Sequence, residues 1–458
     1  MELELGEARG LALALKTLLD ETRQVLAEHG DGALLVAAVT EHIGCPLEQI
    51  PNVVEHYAPW ELVNIQLGVD AYLAKYTPDA GWFGIAGQRH SSVVDMLSTA
   101  VQYGSYRLGA VDYATVATGP DSVMEAAALG LVRTTAPDGT PVVLAVQGAV
   151  EHGEPRSSVL ILAAERSTAA IVRDEIGVLI RRHDVFRGQV LTFGHTEYRG
   201  NELVTFLPRP ELSADQVVLP EGVLAAIERH IVRTPEQTAL LAAHGQHLKR
   251  GLLLYGPPGT GKTHTVRYLL SRLVDCTIIV VSGQGLQRFL RSATTLARRL
   301  APAVVVLEDV DLVAQERTPY DSNPVLFELL NQIDGIGSEA DVTFVLTTNR
   351  VEVMEKALAE RPGRVDFAVE VPKPDAGCRE RLLRLYAGQV DLDLADPAEL
   401  IAAADGVTAS FVKEWVRRAV LAAEPVDGRV RLDEDLLRAV LTELLDERQT
   451  LTRNILGG

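Results

Sequence analysis

The stretch Gly251-Leu252-Leu253-Leu254-Tyr255 runs straight into Gly256-Pro257-Pro258-Gly259-Thr260-Gly261-Lys262-Thr263, and helical spacing then carries on from His264 to Leu273. An apolar strand, a glycine-rich turn and a helix start in direct succession constrain the backbone strongly. The glycines let the loop curl so that its N–H groups point inward, and the helix N-terminus adds partial positive charge. Such a loop cradles phosphates. Lys262 is placed to reach the β- and γ-phosphates of a nucleotide, and the Thr263 hydroxyl to ligate Mg²⁺. The candidate nucleotide-binding residues are therefore Gly256, Pro257, Pro258, Gly259, Thr260, Gly261, Lys262, Thr263 and His264.

Two further apolar runs end in chemistry. Val304-Val305-Val306-Leu307 leads into Glu308-Asp309-Val310-Asp311. Adjacent carboxylates at the end of a buried strand are costly unless a cation or hydrogen bonds compensate them. Downstream of a phosphate loop they are suited to holding Mg²⁺ and activating the attacking water. Thr263 and Glu308 are the candidate metal ligands, and Glu308 and Asp309 the candidate catalytic acids; the residues alone leave open which acid acts as base. The run Thr343-Phe344-Val345-Leu346-Thr347-Thr348 delivers Asn349 at its tip. Its neutral amide can donate to a γ-phosphate and accept from water. Arg361-Pro362-Gly363-Arg364 then follows a helical segment, Val353 to Glu360. The guanidinium groups of Arg361 and Arg364 can neutralise charge developing on the γ-phosphate, and their position at the domain edge is better suited to a neighbouring subunit's nucleotide than to their own.

Strand-like and helical segments alternate around these residues, which predicts a parallel sheet covered by helices, with the phosphate site at the strand ends. The expected segments include strands at Leu252 to Tyr255, Thr277 to Val281, Ala303 to Leu307 and Thr343 to Thr347, and a helix at Pro324 to Ile333. From Asp375 the pattern is helical, as in a small lid. Upstream, residues 1–80 read as mostly helical and residues 81–212 as β-rich, with short runs such as Ser158 to Ala163 and Gln189 to Phe193 and a helix at Ala169 to Arg182. Prolines 208, 210 and 220 mark the boundary. The fold class is α/β, a P-loop NTPase sheet over residues 217–372 and a helical lid and tail over 373–458, preceded by a mixed α/β N-terminal domain.

Taken in order, Gly256 to Thr263, Glu308-Asp309-Val310-Asp311, Thr348-Asn349 and Arg361-Pro362-Gly363-Arg364-Val365-Asp366 closely resemble the AAA subfamily of AAA+ ATPases over roughly residues 217–446. The resemblance implies ATP and Mg²⁺ as cofactors, Asn349 as sensor 1, Arg361 and Arg364 as paired arginine fingers acting in trans, and a homo-oligomeric, hexameric ring that remodels a protein partner selected through the N-terminal domain. A slow-turnover, nucleotide-dependent scaffold is the second reading it allows. Three departures stand out. The family's acid pair is Asp then Glu, whereas Glu308 precedes Asp309 here, as in translocases resembling the mitochondrial Rieske-protein transporter. Ala409 stands where the lid segment Asp405 to Val412 usually has glycine. The segment from Gly283 to Arg291 is short, with Arg291 in place of a pore-loop glycine, so Phe289-Leu290 reads either as a substrate-gripping pair or as the packed start of a helix.

A net charge of −19 over 458 residues argues against broad binding to a phosphate backbone. Clusters such as Lys249-Arg250 and Arg181-Arg182 read as element ends or solvated faces. A nucleic-acid partner is disfavoured. No apolar run approaches the roughly 18 residues of a membrane helix, no His-Glu-x-x-His zinc motif occurs, and Cys45, Cys276 and Cys378 have no paired spacing. The expected location is cytoplasmic, with no membrane partner.

Overall fold

Two units divide the chain, one formed by residues 1–186 with 194–206 and the other by residues 187–193 with 207–458. The computed structural model describes residues 10–18, 21, 32–87, 91–149, 156–195, 202–232, 235–283, 285–313, 340–350, 365–394, 396–425 and 430–456.

In the first unit a seven-stranded sheet carries helices on both faces. The strands Ser157–Ala163, Pro141–Gln147 and Val123–Thr135 lie side by side, and all pairings in this sheet are antiparallel. Side chains alternate between the faces. Leu144, Val146, Val159 and Ile161 pack under the helices Leu62–Tyr76 and Arg166–Arg182, whereas Ala145, Leu160 and Leu162 pack under Ala33–Ile43 and Val93–Tyr103. Within the region read as mostly helical, the strand Asn52–Tyr57 pairs with Ser157–Ala163. Its short alternating run sits between helical stretches, so the helical periodicity on either side masked it. A buried polar group also ties the unit together: Asn64, fully buried, donates to Glu61 and Asp184 and accepts from the Val185 N–H.

The second unit is built on a sheet of parallel strands. Phe367–Glu370, Arg250–Tyr255, Val342–Thr348, Ala303–Glu308 and Thr277–Ser282 follow one another across it. Leu252 to Leu254, Val304 to Leu307 and Phe344 to Leu346 are all nearly inaccessible, as strands covered on both faces require. Beyond Thr277–Ser282 lies a strand that the sequence reading assigned to the upstream domain: Val190 to Thr192 pair in parallel with Ile278 to Val280. Arg209 braces this join by donating to the carbonyls of Gly188, Leu270, Leu273 and Cys276. Arg250, read from sequence as an element end, opens its strand as a buried side chain paired with Asp341 at 2.7 Å.

The lid packs its own core around the fully buried Trp415, with Leu383, Leu400, Val412 and Leu437. Its helices include Ala376–Ala387, Ala409–Ala422 and Glu434–Leu456. The Asp375 and Thr408 side chains cap the first two by accepting from N–H groups in the first turn. Among the described residues no helix is long and apolar enough to cross a membrane. The helical segments expected at Pro324 to Ile333 and Val353 to Glu360 lie outside the described residues.

Candidate active site

The strand Arg250–Tyr255 runs into Gly256, whose φ is 141°. A Cβ there would lie 2.3 Å from the Val371 carbonyl oxygen, so the chain turns at this point only because the side chain is absent. Thr260 Oγ1 donates to the Pro257 carbonyl at 2.9 Å and fixes the loop, and the helix Lys262–Arg272 starts directly after Gly261. The lid meets the loop at Gly259, whose carbonyl accepts from the Ser410 N–H at 3.0 Å. Ala409, at the position of the family's lid glycine, is buried, and its neighbour Ser410 makes this contact.

Lys262 is only 6% exposed. Its Nζ donates to the carbonyls of Gly256 and Pro257 at 2.8 and 2.9 Å and to Asn349 Oδ1 at 2.7 Å. Burial lowers its pKa, and the charges of Asp309 and Asp311 oppose that shift. Thr263 is exposed, and its side chain is hydrogen-bonded to Glu308. Burial first, and then the charge of Asp309, push the Glu308 carboxyl above its usual range, while Thr263 and Arg267 oppose the shift. The side chain of His264, expected from sequence as a nucleotide contact, meets the Gln216 carbonyl through Nε2 at 2.9 Å. It ties the phosphate-loop helix to the short helical turn Ala214–Gln216 of the same unit.

The acids diverge at the end of the strand Ala303–Glu308. Glu308 turns to Thr263, whereas Asp309, with φ 52°, faces the sensor strand. A non-glycine residue in the left-handed region is strained and needs support. The Asp309 N–H finds it in Thr347 Oγ1 at 2.9 Å, and Asp309 Oδ1 accepts from Asn349 Nδ2 at 3.3 Å. Asn349 therefore spans the gap between Lys262 and Asp309. Its backbone is fixed in turn by Asp311, 4% exposed, whose Oδ1 accepts from the Asn349 N–H and the Thr348 hydroxyl, both at 3.1 Å. Sequence reasoning did not number Asp311 among the site residues. The available signal was a third carboxylate in the run that closes a buried strand.

Gly256 to Thr263, Glu308, Asp309 and Asn349 thus come together, His264 serves the rear of the loop, and Arg361 and Arg364 lie outside the described residues. Phe289 and Leu290 are buried on the helix Gly285–Arg299, with Phe289 stacked on Phe193 at 5.5 Å. Of the two readings of this pair, packing is the one the structure has. No group of three or more His, Cys, Asp or Glu suited to a metal occurs among the described residues. The oxygen pair Thr263 and Glu308 nonetheless fits Mg²⁺, a hard ion that binds through one or two carboxylates and substrate phosphates.

A parallel sheet with a phosphate loop, an acid pair and a sensor amide at its strand ends defines a P-loop nucleoside triphosphatase. Residues 252–373 match the ATPase family associated with various cellular activities (AAA). The chain is 33% identical over 194 residues to the 26S proteasome regulatory subunit 8 homolog of Schizosaccharomyces pombe, a match covering 38% of this chain and 47% of that protein. It is also 33% identical over 199 residues to the 26S proteasome regulatory subunit 8 of Caenorhabditis elegans, covering 40% and 47%. The chain thus spans about half the length of these curated relatives.

Proposed function

We propose that the chain binds ATP with Mg²⁺, hydrolyses it to ADP and phosphate, and uses the cycle in a homo-oligomeric ring to remodel or move a protein partner. The observation that carries the catalytic reading is the placement of Asn349 between Lys262 Nζ and Asp309 Oδ1. In this reading the loop amides and Lys262 bind the phosphates, while Thr263 and Glu308 hold Mg²⁺, which spreads the charge on the β- and γ-phosphates when bound. Asp309, turned away from Thr263, takes a proton from the water that attacks the terminal phosphorus. Asn349 orients that water and the γ-phosphate. The inverted acid pair thereby divides its work by direction: the longer Glu308 goes to the ion and the shorter Asp309 to the water.

Arg361 and Arg364 complete the site across a subunit boundary, which makes assembly a condition of turnover. The protein-acting part of the proposal is supported by the likeness to two proteins named as proteasome regulatory subunits. The burial of Phe289 and Leu290 favours a second reading, a slow-turnover ring that works as a nucleotide-controlled scaffold rather than by gripping a threaded chain.

Phosphate release with mixed subunits tests the shared site. Arg364→Ala and Lys262→Ala proteins are each expected to be inactive, and mixed rings of the two to recover turnover. Confirmed mixed rings without recovery would refute action in trans. Stimulation by a protein partner separates the remodelling reading from the scaffold, for which ATP-dependent assembly with negligible turnover is expected.

A further inference from the structure

The helix Gly285–Arg299 contains neither Asp nor Glu. Leu286, Phe289, Leu290 and Ala293 turn its apolar side inward, and Arg291 and Arg298, two turns apart, stand exposed on the other. No acid of the same helix lies three or four residues away to neutralise them. Among the described residues no ion pair engages either arginine. The lid carries a row of the opposite sign. On the helix Glu434–Leu456, Leu437, Val440, Leu441 and Leu444 are buried, whereas Asp435, Glu443 and Asp446 stand exposed on the far side. Glu434 and Glu447 of that helix are already paired, with Arg438 and Arg418 at 2.7 and 2.9 Å. Among the described residues no ion pair engages Asp435, Glu443 or Asp446. At about 1.5 Å per residue, Arg291 to Arg298 spans roughly 10 Å and Asp435 to Glu443 roughly 12 Å, so the two rows agree in length as well as in sign.

We propose that the arginine face of one copy of the chain docks on the acidic lid face of the next copy. The two faces lie on different elements, so the contact is head-to-tail and can repeat around a closed ring instead of ending at a dimer. A second copy is the partner because the complement of the arginine row stands on this same chain. Copies with a net charge of −19 repel one another, and the arginine face offsets that repulsion where they meet. Exposed pairs add little affinity singly and are screened by salt; as a row they fix register and orientation. The proposal rests on the reading that the chain assembles with itself.

The test uses two full-length variants, Arg291→Glu with Arg298→Glu, and Asp435→Arg with Glu443→Arg. Glu and Arg are both good helix formers, so the helices should persist, as circular dichroism would confirm. Sedimentation velocity with ATP and Mg²⁺ reads assembly. The unaltered chain should assemble, less tightly as salt is raised. Each variant alone should assemble about tenfold or more weakly, because like charges then meet at every contact. An equimolar mixture of the two should recover assembly, since each contact between unlike copies again joins opposite charges. Assembly of either variant equal to that of the unaltered chain, indifference to salt, or no recovery in the mixture would overturn the proposal and leave the ring reading standing; an unaltered chain that stays monomeric would overturn both. Binding of a single-stranded RNA oligomer that is lost in Arg291→Glu with Arg298→Glu while assembly is unchanged would give the face to nucleic acid and likewise overturn it.

Discussion

Lys262 Nζ and Asn349 Oδ1 lie 2.7 Å apart, which joins the phosphate loop directly to the tip of the sensor strand across adjacent parallel strands. The same amide donates to Asp309, so one side chain contacts both Lys262 and Asp309, the residues proposed to bind phosphate and to activate water. Asn349→Ala should therefore leave ATP affinity within a few-fold of normal and lower kcat by about 10² to 10³, the loss typical of removing one preorganised donor. Equilibrium binding of a fluorescent ATP analogue and steady-state phosphate release would separate the two effects.

Asp311 holds this sensor from behind. Removing its carboxylate in Asp311→Ala leaves the Asn349 N–H without its acceptor and the Thr348 hydroxyl with the Arg350 carbonyl at 3.3 Å, at a cost of about 1–3 kcal/mol for a buried group. Asp311→Asn keeps an acceptor oxygen and should lose less. Urea unfolding of both variants, alongside kcat, checks the order; equal stability of Asp311→Ala and the unaltered chain would contradict the role given to Asp311.

The loop's conformation is equally specific. Gly256→Ala brings a Cβ to within 2.3 Å of the Val371 carbonyl oxygen and should destabilise the unit by about 1–3 kcal/mol while abolishing nucleotide binding. Gly259→Ala would face side-chain atoms rather than backbone, with Ser410 Oγ at 2.9 Å and Thr408 Oγ1 at 3.3 Å. Its defect should be smaller and should appear mainly in nucleotide affinity, as thermal unfolding with and without ATP would reveal.

The site's strands were legible in sequence because a doubly covered parallel strand is a continuous apolar run, and its chemistry gathers where that run stops. Leu252 to Leu254, Val304 to Leu307 and Phe344 to Leu346 each announce themselves in this way, and the residues following them are the ones the fold brings together. Partnership was not legible. Val190 to Thr192 look like any short apolar run, and nothing local shows that they pair with Ile278 to Val280 rather than with the upstream sheet. The contact of His264 with Gln216 and the support of Asn349 by Asp311 are likewise set by tertiary geometry, which a spacing of residues does not encode.

The Glu308 carboxyl gives a pH signature. Burial and Asp309 raise its pKa above 4.5, so its ionised form is lost on acidification sooner than that of an ordinary glutamate. As the folded value exceeds the unfolded one, the group's contribution to stability is present at low pH and is lost as pH rises through the folded value. Under the role proposed for Glu308 activity runs the other way, because holding Mg²⁺ requires the ionised carboxylate. The acid limb of the kcat/KM profile should therefore fall above pH 4.5 and be relieved in part by raised Mg²⁺, and a limb insensitive to Mg²⁺ would assign it to another group.

Replacement of the lysine that joins loop and sensor probes the account at its centre. Phosphate release should be measured for the unaltered chain and for Lys262→Ala at saturating ATP and Mg²⁺, with circular dichroism confirming the fold of both. The account predicts turnover in the unaltered chain and its loss in the variant; equal phosphate release by a correctly folded Lys262→Ala protein would contradict it.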